Sequence, residues 1–177
     1  MTALFVLMVS AAVFACPPIA TLDGQPPEDQ SYSVLFFAVS DLPARIDEPK
    51  LQKTAAGYVL KCAVPNRSDE QLLGLRLILL MVEPTGKLRS QVTWTEASDL
   101  PGYSIKTFSF HPELSEPPRA SDQLFLAVDE VIGHETIWRA MEAEKALRAY
   151  SRGQHDVMPV VRTVANRFDP RTKAIIY

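Results

Sequence analysis

The tightest constraint on this chain is a rhythm. Between residues 32 and 131, apolar runs of strand length recur, each ended by a cluster of turn-forming residues, with no helical period between them. The runs are YSVLFFAVS (32–40), AGYVLKCAV (56–64), LGLRLILLMV (73–82), LRSQVTWTE (88–96), YSIKTFSF (103–110) and DQLFLAVDEV (122–131). In AGYVLKCAV, alternation places Leu60, Cys62 and Val64 on one face and Lys61 on the other. In LRSQVTWTE, Leu88, Val92 and Trp94 share a parity, which assigns Trp94 to a core. The punctuation has a mechanism. PNRSDEQ (65–71) supplies Asn, Ser and Asp, whose side chains hydrogen-bond their own backbone. EPTG (83–86) and SDLPG (98–102) put proline where φ near −65° is wanted, with glycine following where positive φ costs little. Strands at this spacing predict a mainly β fold, an antiparallel β-sandwich. LGLRLILLMV alone also fits a buried helix, but the EPTG stop and the alternating run beyond it favour a hairpin.

The period changes after residue 134. ETIWRAMEAEKALRAYSRG (135–153) has no proline, and Ile137, Ala140, Met141, Glu144, Leu147 and Tyr150 follow helical spacing. Glu135–Arg139 and Glu144–Arg148 are i,i+4 pairs in the favourable orientation, and Gly153 stands as a C-terminal stop. The segment is expected to hold one C-terminal α-helix, centred on 139–151. Its first residues have an alternative as strand, returning through GHE as a hairpin. Residues 154–177 read as an extended C-terminal arm. Its apolar, β-prone part offers Val157, Val160, Val161 and Val164 to a sheet edge. That edge is either the chain's own, which would also protect it, or a partner's.

Residues 1–15 give an address. The core ALFVLMVSAAVFA is 13 residues long and uncharged, short of the roughly 20 that cross a bilayer. The prolines of CPP follow at once and stop any helix. The length fits a signal peptide over 1–15, although no Lys or Arg precedes the apolar core. Residues 16–30 contain PP twice and read as a solvated tether. The sequence over Val13, Phe14, Ala15 and Cys16 resembles the lipobox of bacterial exported lipoproteins. That resemblance implies cleavage before Cys16, lipidation of its thiol, and a membrane anchor in the cell envelope. Secretion without the anchor is the alternative. The second cysteine, Cys62, reads as a buried strand residue, with a Cys16–Cys62 disulfide as the other reading.

The stretch 58–110 resembles the immunoglobulin-like domains of bacterial surface proteins, the FxLYD type especially. The carriers are Asn66 and Ser68 at a strand end, the long apolar run after them, Glu83 and Gly86 at its turn, and Pro101-Gly102 before a strand containing Phe108. Val82-Glu83 stands where that family has Tyr-Asp. The resemblance implies an immunoglobulin-like β-sandwich over 31–134.

Chemistry is conspicuous by what fails. HETIW begins like a zinc-protease helix, but Trp138 occupies the position of the second histidine. His111, His134 and His155 are scattered, and neither a phosphate-binding glycine loop nor a GxSxG elbow is present. Asp129 and Glu130, adjacent in a strand, are expected on opposite faces. Asn66 heads an NRS glycosylation sequon, for which a plain turn residue is the preferred reading. A formal net charge of −3 argues against nucleic acid as a partner. No catalytic residue, metal or cofactor is therefore expected. The expected function is non-catalytic binding or assembly with another envelope protein, or docking of the arm into a larger complex. The alternative is an exported hydrolase with a site built from distant residues, for which a pocket gathering His134 or His155 with carboxylates would speak.

Overall fold

The computed structural model describes residues 30–166 and the backbone of Phe168–Asp169 and Ala174–Ile175. The expected signal peptide, Cys16 and nearly all of the tether lie outside the described residues. The chain is mainly β: β1 (Ser31–Phe37), β2 (Asp47–Thr54), β3 (Gly57–Pro65), β4 (Leu72–Val82), β5 (Leu88–Leu100), β6 (Ile105–Phe110), β7 (Gln123–Gly133) and β8 (Thr136–Met141). One helix, α1 (Ala143–Tyr150), and β9 (Val160–Ala165) follow, then the short antiparallel pair β10 (Phe168–Asp169) and β11 (Ala174–Ile175).

Strands β1 to β9 form one curled, mixed sheet. Its main path runs β5-β4-β7-β1-β2-β3-β6, and β8 leaves β7 to carry β9. β1 makes the curl. Residues 31–33 pair antiparallel with β2, and residues 34–37 then pair parallel with β7. An all-antiparallel arrangement therefore fails at this strand. The parallel pairing places the start of β1 at one pole of the fold and the end of β7 at the other. At 3.3 Å per residue, the 11-residue β7 separates the poles by roughly 35 Å.

Curling buries the middle strands on both sides. Residues 77–82 of β4 are buried without a break, and so are residues 124–131 of β7. Each fully buried leucine contributes about 1.5–3 kcal/mol relative to an exposed one. The expected β4–β5 hairpin forms, turned by the 83–87 loop in which the Gly86 N–H donates to the Glu83 carbonyl at 2.8 Å. Arg89, its side chain almost fully buried, clamps the 111–122 loop. It donates to Glu116 and to the Pro117 carbonyl, each at 2.9 Å, and forms an ion pair with Asp122.

The 135–153 segment divides. Its first part takes the strand alternative and returns through the 134–135 turn as β8, because Ile132 and Val131 offer Ile137 and Trp138 a ladder. Only Ala143–Tyr150 is helical, with Ala143, Ala146, Leu147 and Ala149 buried against β7. The Glu144–Arg148 pair forms at 2.9 Å, whereas Arg139 pairs with Glu130 rather than Glu135. Gly153, at φ 78°, ends the helix as expected.

Candidate functional site

Three features are built well enough to be weighed. The first is β9. It pairs antiparallel with β8 from Thr136↔Ala165 to Met141↔Val160, and among the described residues its other edge has no partner. The arm thus adds a strand to its own sheet. It divides the four valines: Val157 and Val161 pack against the core, whereas Val160 and Val164 are 66 % and 42 % exposed on the opposite face. Val160 lies beside Met141, itself 41 % exposed, so the apolar surface spans both strands.

Arg162 sits between the two exposed valines and ends a row of charge. Successive registers align Arg76 on β4 with Glu130 on β7, Glu130 with Arg139 on β8, and Arg139 with Arg162 on β9. Arg139 donates to Glu130 at 2.6 Å. Arg76 forks onto Asp129 with three contacts of 2.8–3.0 Å. Arg162 forms no ion pair among the described residues.

The second feature is a cleft of about 420 Å³ beside that row, lined by Arg76, Asp129, Glu130, Arg139 and the residues that open α1. Asp129 and Glu130 both reach it, contrary to the alternation expected of neighbours. A β-bulge between Arg76 and Leu77 of β4 is the cause: Arg76 pairs with Glu130 and Leu77 with Val128, so Asp129 is the extra residue. Burial raises the Asp129 carboxyl above its usual value, with the Glu130 charge adding to this and the Arg76 hydrogen bonds and charge opposing it. The acids are thus held by arginines, which makes this a buried ion network rather than a free acid–base pair.

The third feature is the pole where Gly133, the 66–71 loop and the 100–104 loop meet. Asn66 is buried and ties it together. Its amide nitrogen donates to the carbonyls of Glu70, Pro101 and Leu100 at 2.8, 3.0 and 3.3 Å, and its oxygen accepts from the N–H and hydroxyl of Ser68. That fulfils the turn reading and leaves no accessible amide for a glycan. A Cβ on Gly102 would fall 2.2 Å from the Asp69 carbonyl oxygen, so only glycine permits this approach. Glu70 Oε1 accepts the backbone N–H groups of Glu135 and Thr136, the latter at 2.8 Å. Around them a hollow of about 640 Å³ gathers His134 with Asp69, Glu70, Glu135 and Trp138. This is the grouping that speaks for a hydrolase, although one Glu70 oxygen is already committed to the turn.

The remaining residues singled out in the sequence fall elsewhere. His111 lies in the loop after β6, and the His155 ring stacks edge-on to Tyr150 at 4.9 Å, so the three histidines never converge. Among the described residues no group of three His, Cys, Asp or Glu could hold a metal ion. Cys62 is a buried free thiol, pushed up to about 12 by burial. Trp94 and Trp138 both pack, half-buried, against the core. No helix among the described residues is long and apolar enough to cross a membrane. The charge row went unread in the sequence because it depends on three registers, and its four members lie in four different strands. Compared with protein-family models, with curated proteins and with solved structures, the chain matches none.

Proposed function

We propose that this chain is an exported, envelope-tethered binding module with an immunoglobulin-like sandwich, which assembles without catalysis onto another envelope protein through the β9 edge. The observation that carries the reading is that edge: a strand unpaired on one side among the described residues, with Val160 and Val164 exposed along it. Strand edges of this kind accept an extended segment of a partner, main chain to main chain. A chain that keeps such an edge uncharged apart from one Arg does not blunt it against pairing in the usual way.

The sandwich reading draws on the pairing order. β3–β6 and β4–β7 join strands that are not neighbours in sequence, as strands B–E and C–F do in an immunoglobulin domain. On that reading β2, β3 and β6 stand for A, B and E, while β5, β4, β7 and β8 stand for C′, C, F and G. The export and tether follow from the 13-residue apolar core and from Cys16 after Val13-Phe14-Ala15. The tether enters β1 at the pole opposite Gly133, which leaves the far pole and the β9 edge clear of a membrane.

Mass spectrometry of the mature protein tests the address. Acylated Cys16 in the membrane fraction is expected. A soluble protein starting at an unmodified Cys16 would remove the anchor, and an intact Met1 would remove export as well. Removal of residues 157–177, followed by pull-down from the native envelope, tests the edge: the partner should be lost. The His134 hollow favours a second reading, an exported hydrolase. Hydrolysis of any model ester, amide or glycoside that is abolished by His134→Ala would establish it in place of the first.

A further inference from the structure

We propose that the β9 edge selects an extended segment carrying one carboxylate side chain beside Arg162, flanked two residues away on each side by apolar side chains beside Val160 and Val164. The inference rests on the reading of β9 as a docking edge and specifies its ligand.

The argument is the charge row. Across β4, β7 and β8 it alternates as Arg76, Glu130 and Arg139, each directly opposite the next. At β9 the alternation breaks, because Arg162 stands opposite Arg139. Like charges directly opposed in a sheet are destabilising. Arg139 is engaged by Glu130 at 2.6 Å, and no carboxylate among the described residues answers Arg162. Its one open neighbour position lies on the strand that would come next, about 4.8 Å beyond β9. An acid there would answer Arg162 and close the row as plus, minus, plus, plus, minus. Two residues either way along the strand, Val160 and Val164 point to the same face and are open to apolar partners. The pattern is symmetric about the acid, so it serves a parallel or an antiparallel strand alike.

The same row argues against a second copy of this chain as the occupant. Antiparallel pairing of β9 with itself, in the register that sets Val160 beside Val164, also sets Arg162 beside Arg162. The two-fold that would bury the valines would thus oppose two guanidinium groups with no acid between them.

Two synthetic peptides serve as probes of the whole chain, Thr-Val-Thr-Glu-Thr-Val-Thr and its counterpart with Lys in place of Glu. Binding is followed through the backbone amide resonances of residues 160–166. The Glu peptide should bind about fivefold more tightly than the Lys peptide, as expected of one exposed cross-strand ion pair set against a repulsion. The preference should shrink with added salt. Arg162→Glu should reverse it and Arg162→Gln should abolish it, neither with a fall in melting temperature, since this side chain is exposed and both changes relieve its opposition to Arg139. Equal binding of the two peptides, with β9 amides shifting in both cases, would overturn the charge selection and leave the docking edge standing. Failure of both peptides to shift those amides would overturn the inference. The docking reading would then be decided by the pull-down with residues 157–177 removed.

Discussion

Asn66 commits both ends of its amide to the backbone of two loops, and that use was legible in the sequence. Asn, Ser and Asp after a proline announce a turn, and Pro101-Gly102 announces the loop that packs against it. Asn66→Ala would take the side-chain donor from the buried Leu100 carbonyl and leave the carbonyls of Glu70 and Pro101 to the hydroxyls of Ser68 and Ser104. A loss of about 1–3 kcal/mol in urea unfolding is expected, the range for a buried group left unsatisfied. Cys62 was legible for a similar reason, since strand parity alone assigns it to the core. Asp129 was not. Its place beside Glu130 in the cleft depends on a bulge set by β4, and no pattern within DQLFLAVDEV encodes a register with another strand. Burial raises the Asp129 carboxyl, so the folded chain holds that proton more tightly than the unfolded one. The stability this proton confers is complete below the unfolded value near 3.8 and is lost as pH rises through the higher folded value. Asp129→Asn removes the titration. The wild type should therefore lose stability relative to the variant as pH is raised from about 3.5 to 6 in parallel urea titrations.

Among the elements, those with a strong apolar period were readable and those held by their neighbours were not. β4, β5 and β7 follow from their own composition. β2 does not: DEPKLQKT buries only Leu51 and exists as a strand because β1 and β3 flank it. In ETIWRAM both a helical stripe and a strand alternation are present, and the ladder offered by β7 decides for the strand. The arm was readable as β-prone, but whether it would turn back onto β8 depended on β8 being a strand at all. Its two faces separate a packed side, with Val161, from an exposed one, with Val160 and Val164. Replacing Val160 and Val164 together by Thr should change the melting temperature little, because both are exposed and threonine keeps the strand propensity. Val161→Ala, which strips a residue packed on the core, should lower stability by about 1 kcal/mol. Thermal denaturation of the three proteins side by side would show the contrast. A fall in the double variant as large as that of Val161→Ala would mean the outer face is packed after all.

At the scale of the whole molecule, the mainly β character and six of the strands were legible, and the mixed sheet was not, since a parallel pair has no local turn to announce it. β1 is the strand that turns a set of hairpins into a single curled sheet. Its position also has a mechanical meaning. Its first half is bonded to β2 and its second half to β7, along nearly its whole length. A tension applied at residue 30 and resisted at the opposite pole runs along the strand axis, so the hydrogen bonds of both pairings share the strain at once in shear. A tension between residue 30 and the tip of the β2–β3 hairpin, residue 55, would instead open the Ser31↔Gln52, Tyr32↔Leu51 and Ser33↔Lys50 pairs one after another. Single-molecule pulling should therefore record a clearly higher rupture force through residues 30 and 134 than through residues 30 and 55. A domain that yields last along the line joining residue 30 to its far pole is suited to transmit force between whatever is attached at those two ends.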